Sequence, residues 1–248
     1  MLLASYPAFP ADPFNYFVEI GNFSETIYSA NKSRFRLASS DADFHLPSTP
    51  FQRIPKEGSR GSMKIIEIET GGIDDTTRAK RDLSEYRANT RFLNLNAPEI
   101  KRAADRLRGS GDLPRAVEKF VYDRISDKTV GIPLIPALQV YRIRRGDCTE
   151  HAVLAVSLLR ALGVPSRAIV GMYLADEFMG RRNIFVYHMW AEAYYGGSWR
   201  LVDATRPGAR NYNRYIAFAY HTLKAEAPLA YLRAISAITN FSAEYIGK

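Results

Sequence analysis

The chain has 248 residues, 46% of them hydrophobic and 24% charged, with a formal net charge of +8 and one cysteine. That is a globular composition, long enough for one large domain or for one domain and a smaller one. A single cysteine excludes an internal disulfide and any zinc site built on a cysteine pair.

Residues 1–10 are mildly apolar but lack the basic start and long apolar run of a signal peptide. Location therefore stays open between the cytoplasm and, where a signal has been removed, the periplasm or the cell exterior. No stretch approaches the roughly 18 to 20 consecutive apolar residues of a membrane-spanning helix. Residues 1–80 are rich in aromatic, Pro, Ser and Asp residues and read as a small β-rich N-terminal region. Within it, residues 14–20 and 63–69 have strand-like patterning, residues 47–61 read as a loop, and residues 71–77 punctuate again.

From Tyr86 the texture changes, and residues 86–248 are taken as the second region. Asn96 to Glu99 makes a helix start with Pro98 near the first turn, and that helix runs to about Leu107. Asp112 caps a second helix, whose apolar residues Leu113, Ala116, Val117, Phe120 and Val121 recur at spacings of three and four. A Pro-containing loop at residues 131–136 follows. The third helix begins at Cys148, ends before Gly163 and Pro165, and is apolar nearly all round, so it is expected in the middle of a domain. Strand-like segments then occupy residues 166–173, 183–194, 198–203 and 215–220. Helices first and an antiparallel sheet afterwards predict an α+β domain. The tail after Pro228 fits helix or strand equally. Basic residues are spread along the chain, with local groups at Arg142, Arg144 and Arg145 and at Arg181 and Arg182. No nucleic-acid motif accompanies them, so solvated surface is the first expectation, a patch that steers a substrate or partner the second, and no nucleic-acid partner is expected.

Three residues carry chemistry. Asp147 and Glu150 form an Asp-x-x-Glu capping box, which puts Cys148 in the first turn of its helix. Free backbone N–H groups and the helix dipole there favour an anion, so the thiol pKa is expected to fall. The bland alternative is a small buried core residue. His188 lies inside the hydrophobic run from Ile184 to Glu192, where an imidazole needs a partner. Asp203 ends the next strand, and Gly196-Gly197 between the two reads as a two-residue hairpin turn. With that turn Tyr195 pairs with Ser198, Trp190 lies opposite Asp203, and His188 lies opposite Thr205. His188 and Asp203 then share a face as diagonal neighbours, placed for the carboxylate to orient the imidazole. Nucleophile, base and orienter complete a Cys–His–Asp arrangement. His151, on the same helix as Cys148, could tune the thiolate, compete as base, or simply pack. Trp190 and Trp199 read as core aromatics, and Glu150 and Thr205 as local hydrogen-bonding residues. The four histidines show no His-Glu-x-x-His pattern, so neither metal nor other cofactor is expected.

Arg145-Gly-Asp-Cys-Thr-Glu-His-Ala152, Leu159-Arg-Ala-Leu-Gly-Val-Pro-Ser-Arg167, Tyr187-His-Met-Trp190 and Gly197-Ser-Trp-Arg-Leu-Val-Asp-Ala-Thr205, in that order, resemble the transglutaminase-like superfamily. The resemblance spans about residues 86–207 and is to bacterial-type members. It implies a papain-like core with the nucleophile helix packed on an antiparallel sheet, Cys148 as nucleophile, His188 as base and Asp203 as orienter. It further implies a cysteine amidase, peptidase or acyltransferase working through a thioester on a protein or peptide substrate. Two departures stand out: Ala204 replaces the proline that often follows the aspartate, and no tryptophan precedes Cys148 to supply an oxyanion donor. Gln139 or Tyr141 would be the replacement. The alternative on the same fold is a non-catalytic binding module that uses the arginines. A third reading makes the chain part of a larger exported protein whose N-terminal region recruits substrate.

Overall fold

The computed structural model describes residues 17–72, 82–129, 134–224 and 241–247. The expectations for residues 1–10, 14–16, 73–77, 131–133 and 228–240 fall outside the described residues. The first elements are β1 (Phe17–Gly21), the single turn α1 (Thr26–Ser29), β2 (Lys32–Ser39), β3 (Gln52–Arg60) and β4 (Met63–Gly71). The helices α2 (Pro98–Leu107), α3 (Leu113–Arg124), α4 (Ala137–Ile143) and α5 (Cys148–Ala161) come next. The chain returns to strands with β5 (Ser166–Phe178), β6 (Arg181–Tyr195), β7 (Ser198–Val202), β8 (Tyr215–His221) and β9 (Phe241–Gly247). This is the α+β architecture expected from the order of helical and strand periodicities.

The helix starts follow their caps. Asp112 accepts a hydrogen bond from the Arg115 N–H at 3.3 Å, and prolines occupy the first turns of α2 and α3, where a missing N–H costs nothing. α5 is buried on every side from Cys148 to Arg160. It packs against β6, whose alternate residues Phe185, Tyr187, Met189, Ala191 and Ala193 join the same core as Val153, Leu154 and Leu158. Each such leucine contributes about 1.5–3 kcal/mol by leaving water. The other face of β6 packs Ile184, Val186 and Trp190 into a second apolar cluster with Tyr173, Leu201 and Tyr215.

Among the described residues nine strands form one sheet in the order β3-β4-β2-β9-β1-β6-β5-β8, with β7 also paired to β6. The sheet is nearly closed, because the Gln52 side chain on β3 bridges to β8 at the far end of that order. Its Nε2 donates to the Ala217 carbonyl and its Oε1 accepts from the Ala217 N–H, both at 2.9 Å. A side-chain amide thus reproduces the pairing that a neighbouring strand would supply.

β3 corrects the loop reading of residues 47–61. Pro55 and Gly58 look like breakers, but β3 is an edge strand with mostly exposed residues. Its register shifts between Arg53 and Lys56, so Pro55 sits at an irregularity where no ladder N–H is required. β2 and α4 had no counterpart in the sequence reading, and in the tail left open between helix and strand residues 241–247 are strand.

Candidate active site

Cys148 is the first residue of α5, and both halves of the expected capping box are present. Asp147 Oδ1 accepts from the Thr149 N–H at 2.8 Å, and Glu150 Oε2 accepts from the Asp147 N–H at 3.0 Å. On one edge β6 pairs with β1 through residues Ile184, Phe185 and Val186 and with β7 from Ala191 to Tyr195. Residues 187–190 lie between these ladders, and there the Met189 N–H is close enough to the Cys148 sulfur to favour its thiolate. The first residue of α5 therefore meets β6 at a gap between its ladders with β1 and β7.

The electrostatics differ from the sequence expectation. Burial pushes the Cys148 thiol well above its ordinary range, and the negative charge of Asp147 adds to this. The Met189 N–H acts in the opposite direction, while Asp203 and Glu150 raise the thiol further. A helix N-terminus favours a thiolate only when its surroundings let charge remain there. Here the cap that fixes the helix brings its own carboxyl groups, and the thiol form is favoured.

The β6–β7 hairpin has the expected register: Tyr195 pairs with Ser198 and Ala191 with Val202. Gly196 and Gly197 both take positive φ, 64° and 84°, the conformation that a two-residue turn of this hand requires. Asp203 stands one residue beyond β7, and its Oδ2 lies 2.8 Å from His188 Nε2. The Tyr215 hydroxyl donates to the same oxygen at 2.8 Å. Thr205 donates to Oδ1 through its N–H at 3.0 Å and its hydroxyl at 2.6 Å. Burial alone would raise Asp203. The charge and hydrogen bond of His188, with those of Thr205 and Tyr215, hold it well below the carboxylate range instead. Because Nε2 faces Asp203, Nδ1 is the ring nitrogen left for exchange with a thiol.

Cys148 and His188 line one cleft of about 250 Å³, together with His151, Tyr173, Phe178 and Arg206. The three residues singled out in the sequence are thus brought together, two on the cleft wall and the third hydrogen-bonded behind His188. Gln139 and Tyr141 are not among the residues lining it. Gln139 is exposed, and the Tyr141 ring is covered by the Arg124 guanidinium at 4.0 Å. Their proposed oxyanion role has no geometric support, because α4 presents them elsewhere. Trp190 and Trp199 are buried, as core aromatics should be.

Several residues around the site carried no sequence signal of their role. Glu118 on α3 is buried; its Oε1 accepts the Asp203 N–H at 3.0 Å and its Oε2 the Gly208 N–H at 2.9 Å. It holds both ends of the segment that carries Asp203, Thr205 and Arg206. A glutamate beside an apolar stripe hints at a buried partner, but the partner is 85 residues away. Gly171 pairs directly with His188 across β5 and β6. A Cβ there would overlap the Ile216 carbonyl oxygen and press on the Trp190 ring, so glycine lets β8 and the aromatic floor approach His188. Arg167 and Glu192 form a buried pair at 2.7 Å, with the guanidinium 4.1 Å from the Trp199 ring and 3.8 Å from the Tyr220 ring.

Residues 97–204 match the family model described as the transglutaminase-like superfamily, a span that contains Cys148, His188 and Asp203. No curated protein matches the chain in sequence. Among solved structures, the chain is similar to a candidate cysteine protease from Cytophaga hutchinsonii, at 17% identity and a TM-score of 0.53, over 94% of this chain and 83% of that one. The periplasmic domain of TgpA from Pseudomonas aeruginosa aligns at 18% identity and a TM-score of 0.46, over 77% of this chain and 72% of that one. Red sea bream transglutaminase aligns at 10% identity and a TM-score of 0.39, over 71% and 46% of the two chains. At such identities the first of these likenesses is one of fold.

Proposed function

With residues 97–204 belonging to the transglutaminase-like superfamily, we propose that this chain is a cysteine enzyme that attacks peptide or glutamine amides through a thioester. One observation carries the proposal: Cys148 and His188 share a cleft while Asp203 holds the far ring nitrogen of that histidine at 2.8 Å. Base and orienter are prebuilt behind a thiol in the first turn of a helix.

His188 Nδ1 takes the proton of Cys148 as Sγ attacks the amide carbonyl carbon. Burial and nearby carboxyls disfavour a free thiolate, so proton transfer accompanies attack. The backbone N–H of Cys148, free at the helix start, donates to the developing oxyanion. The imidazolium, stabilised by Asp203, then protonates the departing amine, and a thioester to Cys148 remains. Water or a second amine, deprotonated by His188, attacks that thioester and restores the thiol. Water yields a carboxylic acid and an amine yields a new amide, so hydrolysis and acyl transfer are two exits from one intermediate.

The proposed catalytic unit is residues 86–248, with residues 1–80 as its β-rich accessory region. β1 of that region supports the site by pairing with β6 immediately before Tyr187. The test is a glutamine-containing peptide supplied with a primary amine and followed by mass spectrometry in wild type and Cys148→Ala. Deamidated, cleaved or amine-coupled product is expected in wild type and lost in the variant, which should keep the wild-type melting temperature. Product formed equally by both would end the proposal. A folded protein with an unreactive thiol would leave a non-catalytic binding module on the same fold.

A further inference from the structure

Two residues that line the Cys148 cleft each bury a polar atom that lacks a hydrogen-bond partner among the described residues: His151 Nε2 and the Tyr173 hydroxyl. Buried polar groups are nearly always paired, so two orphans beside one thiol call for a reason. His151 lies one turn after Cys148 on α5, on the same side of the helix. Its Nδ1 is 2.6 Å from the Asp147 carbonyl oxygen. A carbonyl only accepts, so the proton is on Nδ1 and Nε2 carries a lone pair. Burial pushes this imidazole down to about 4, so Nε2 stays an acceptor at neutral pH. Lys128 and His188 act in the same direction, and the Asp147 carbonyl and Asp203 oppose them. Tyr173 is kept in its phenol form, chiefly by burial, and so offers an O–H donor. Its ring packs 5.7 Å from that of His188 and lies under the Arg206 guanidinium at 4.2 Å, which fixes the ring in place.

We infer that His151 Nε2 and the Tyr173 hydroxyl are recognition groups for a carboxamide that bears an N–H, the nitrogen donating to His151 and the carbonyl accepting from Tyr173. One acceptor and one donor are the complement of a primary or secondary amide. An ester or a proline-type tertiary amide lacks the N–H and would leave Nε2 unpaired, which is how a built polar site rejects an analogue. The inference rests on Cys148 as nucleophile and names what that nucleophile is offered.

The test is the alkylation rate of Cys148 by chloroacetamide and by its N,N-dimethyl analogue, followed by intact mass. Sγ bonds to the methylene as chloride leaves, and His188 takes the thiol proton. Each rate is divided by that of glutathione, which removes the intrinsic reactivity of the reagents. Wild type should favour the N–H reagent by about threefold to tenfold, the worth of one neutral hydrogen bond. His151→Phe should bring the ratio to that of glutathione, and His151→Gln, which returns an acceptor near the Nε2 position, should restore part of it. Tyr173→Phe should slow both reagents by a similar factor and leave their ratio intact. A reactive Cys148 whose preference survives His151→Phe, or whose rates ignore Tyr173→Phe, overturns this inference alone; an inert wild-type Cys148 overturns the nucleophile as well. Independently of any variant, the imidazole ¹⁵N spectrum of the wild-type protein should show His151 with a bare Nε2 at neutral pH. A proton on that atom would contradict the assignment.

Discussion

On one side of the cleft Asp203 receives four hydrogen bonds, from His188, Tyr215 and twice from Thr205, and its own N–H is held by Glu118. On the other side His151 Nε2 and the Tyr173 hydroxyl receive none from the described residues. The first region is complete without a ligand, and its geometry is fixed by the protein alone. The second keeps hydrogen-bonding capacity unspent beside the thiol. A base that must present one nitrogen in one direction needs the first arrangement, and a surface that must recognise a passing amide needs the second.

The largest way to break the contrast lies in the completed half. Asp203→Asn places an amide where His188 expects an acceptor and should lower kcat/KM by about 10³- to 10⁴-fold through the wrong imidazole tautomer. The same variant has a stability signature. The folded-state pKa of Asp203 is depressed below an unfolded value of about 3.9. Its contribution is therefore complete above about pH 4 and is lost as pH falls further toward the folded value. Urea unfolding across this acid range should show a shallower decline in Asp203→Asn than in wild type; parallel declines would mean the carboxylate is not held as described.

Next in size is Glu118→Ala, which strands the N–H groups of Asp203 and Gly208 and should cost about 2–4 kcal/mol in urea unfolding. Glu118→Gln keeps one acceptor oxygen and should lose less. If the alanine variant were as stable as wild type, the Asp203 segment would be held by something other than Glu118. The smallest effect is expected from Tyr215→Phe. It removes one of four donors to Asp203 and should cost about 1 kcal/mol, with turnover reduced only severalfold. A loss as large as that of Asp203→Asn would make Tyr215 a principal orienter.

Much of the completed half was legible in the sequence because it is local. The cap of α5 spans four residues, and a two-residue Gly-Gly turn fixes the face shared by His188 and Asp203 by simple alternation. Glu118, Tyr215 and Gly171 were not legible, because each acts on the site through a contact that only the closed sheet and the packed α3 create. The direction of the Cys148 shift was misjudged for a related reason. The local motif predicts a favourable dipole, but the outcome depends on burial and on Asp203, which arrives from another element. β3 escaped detection because an exposed edge strand tolerates the proline and glycine that elsewhere mark a loop.

In the proposed mechanism a buried thiol, unfavourable as a free anion, is made nucleophilic by His188. The most direct measurement is the pH dependence of Cys148 alkylation by iodoacetamide, read by intact mass, in wild type and His188→Ala. Wild type should alkylate readily at neutral pH, and the variant at a rate at least about 100-fold lower, recovering only in alkali as the thiol ionises unaided. Identical profiles in the two proteins would contradict it and leave the thiol without its base.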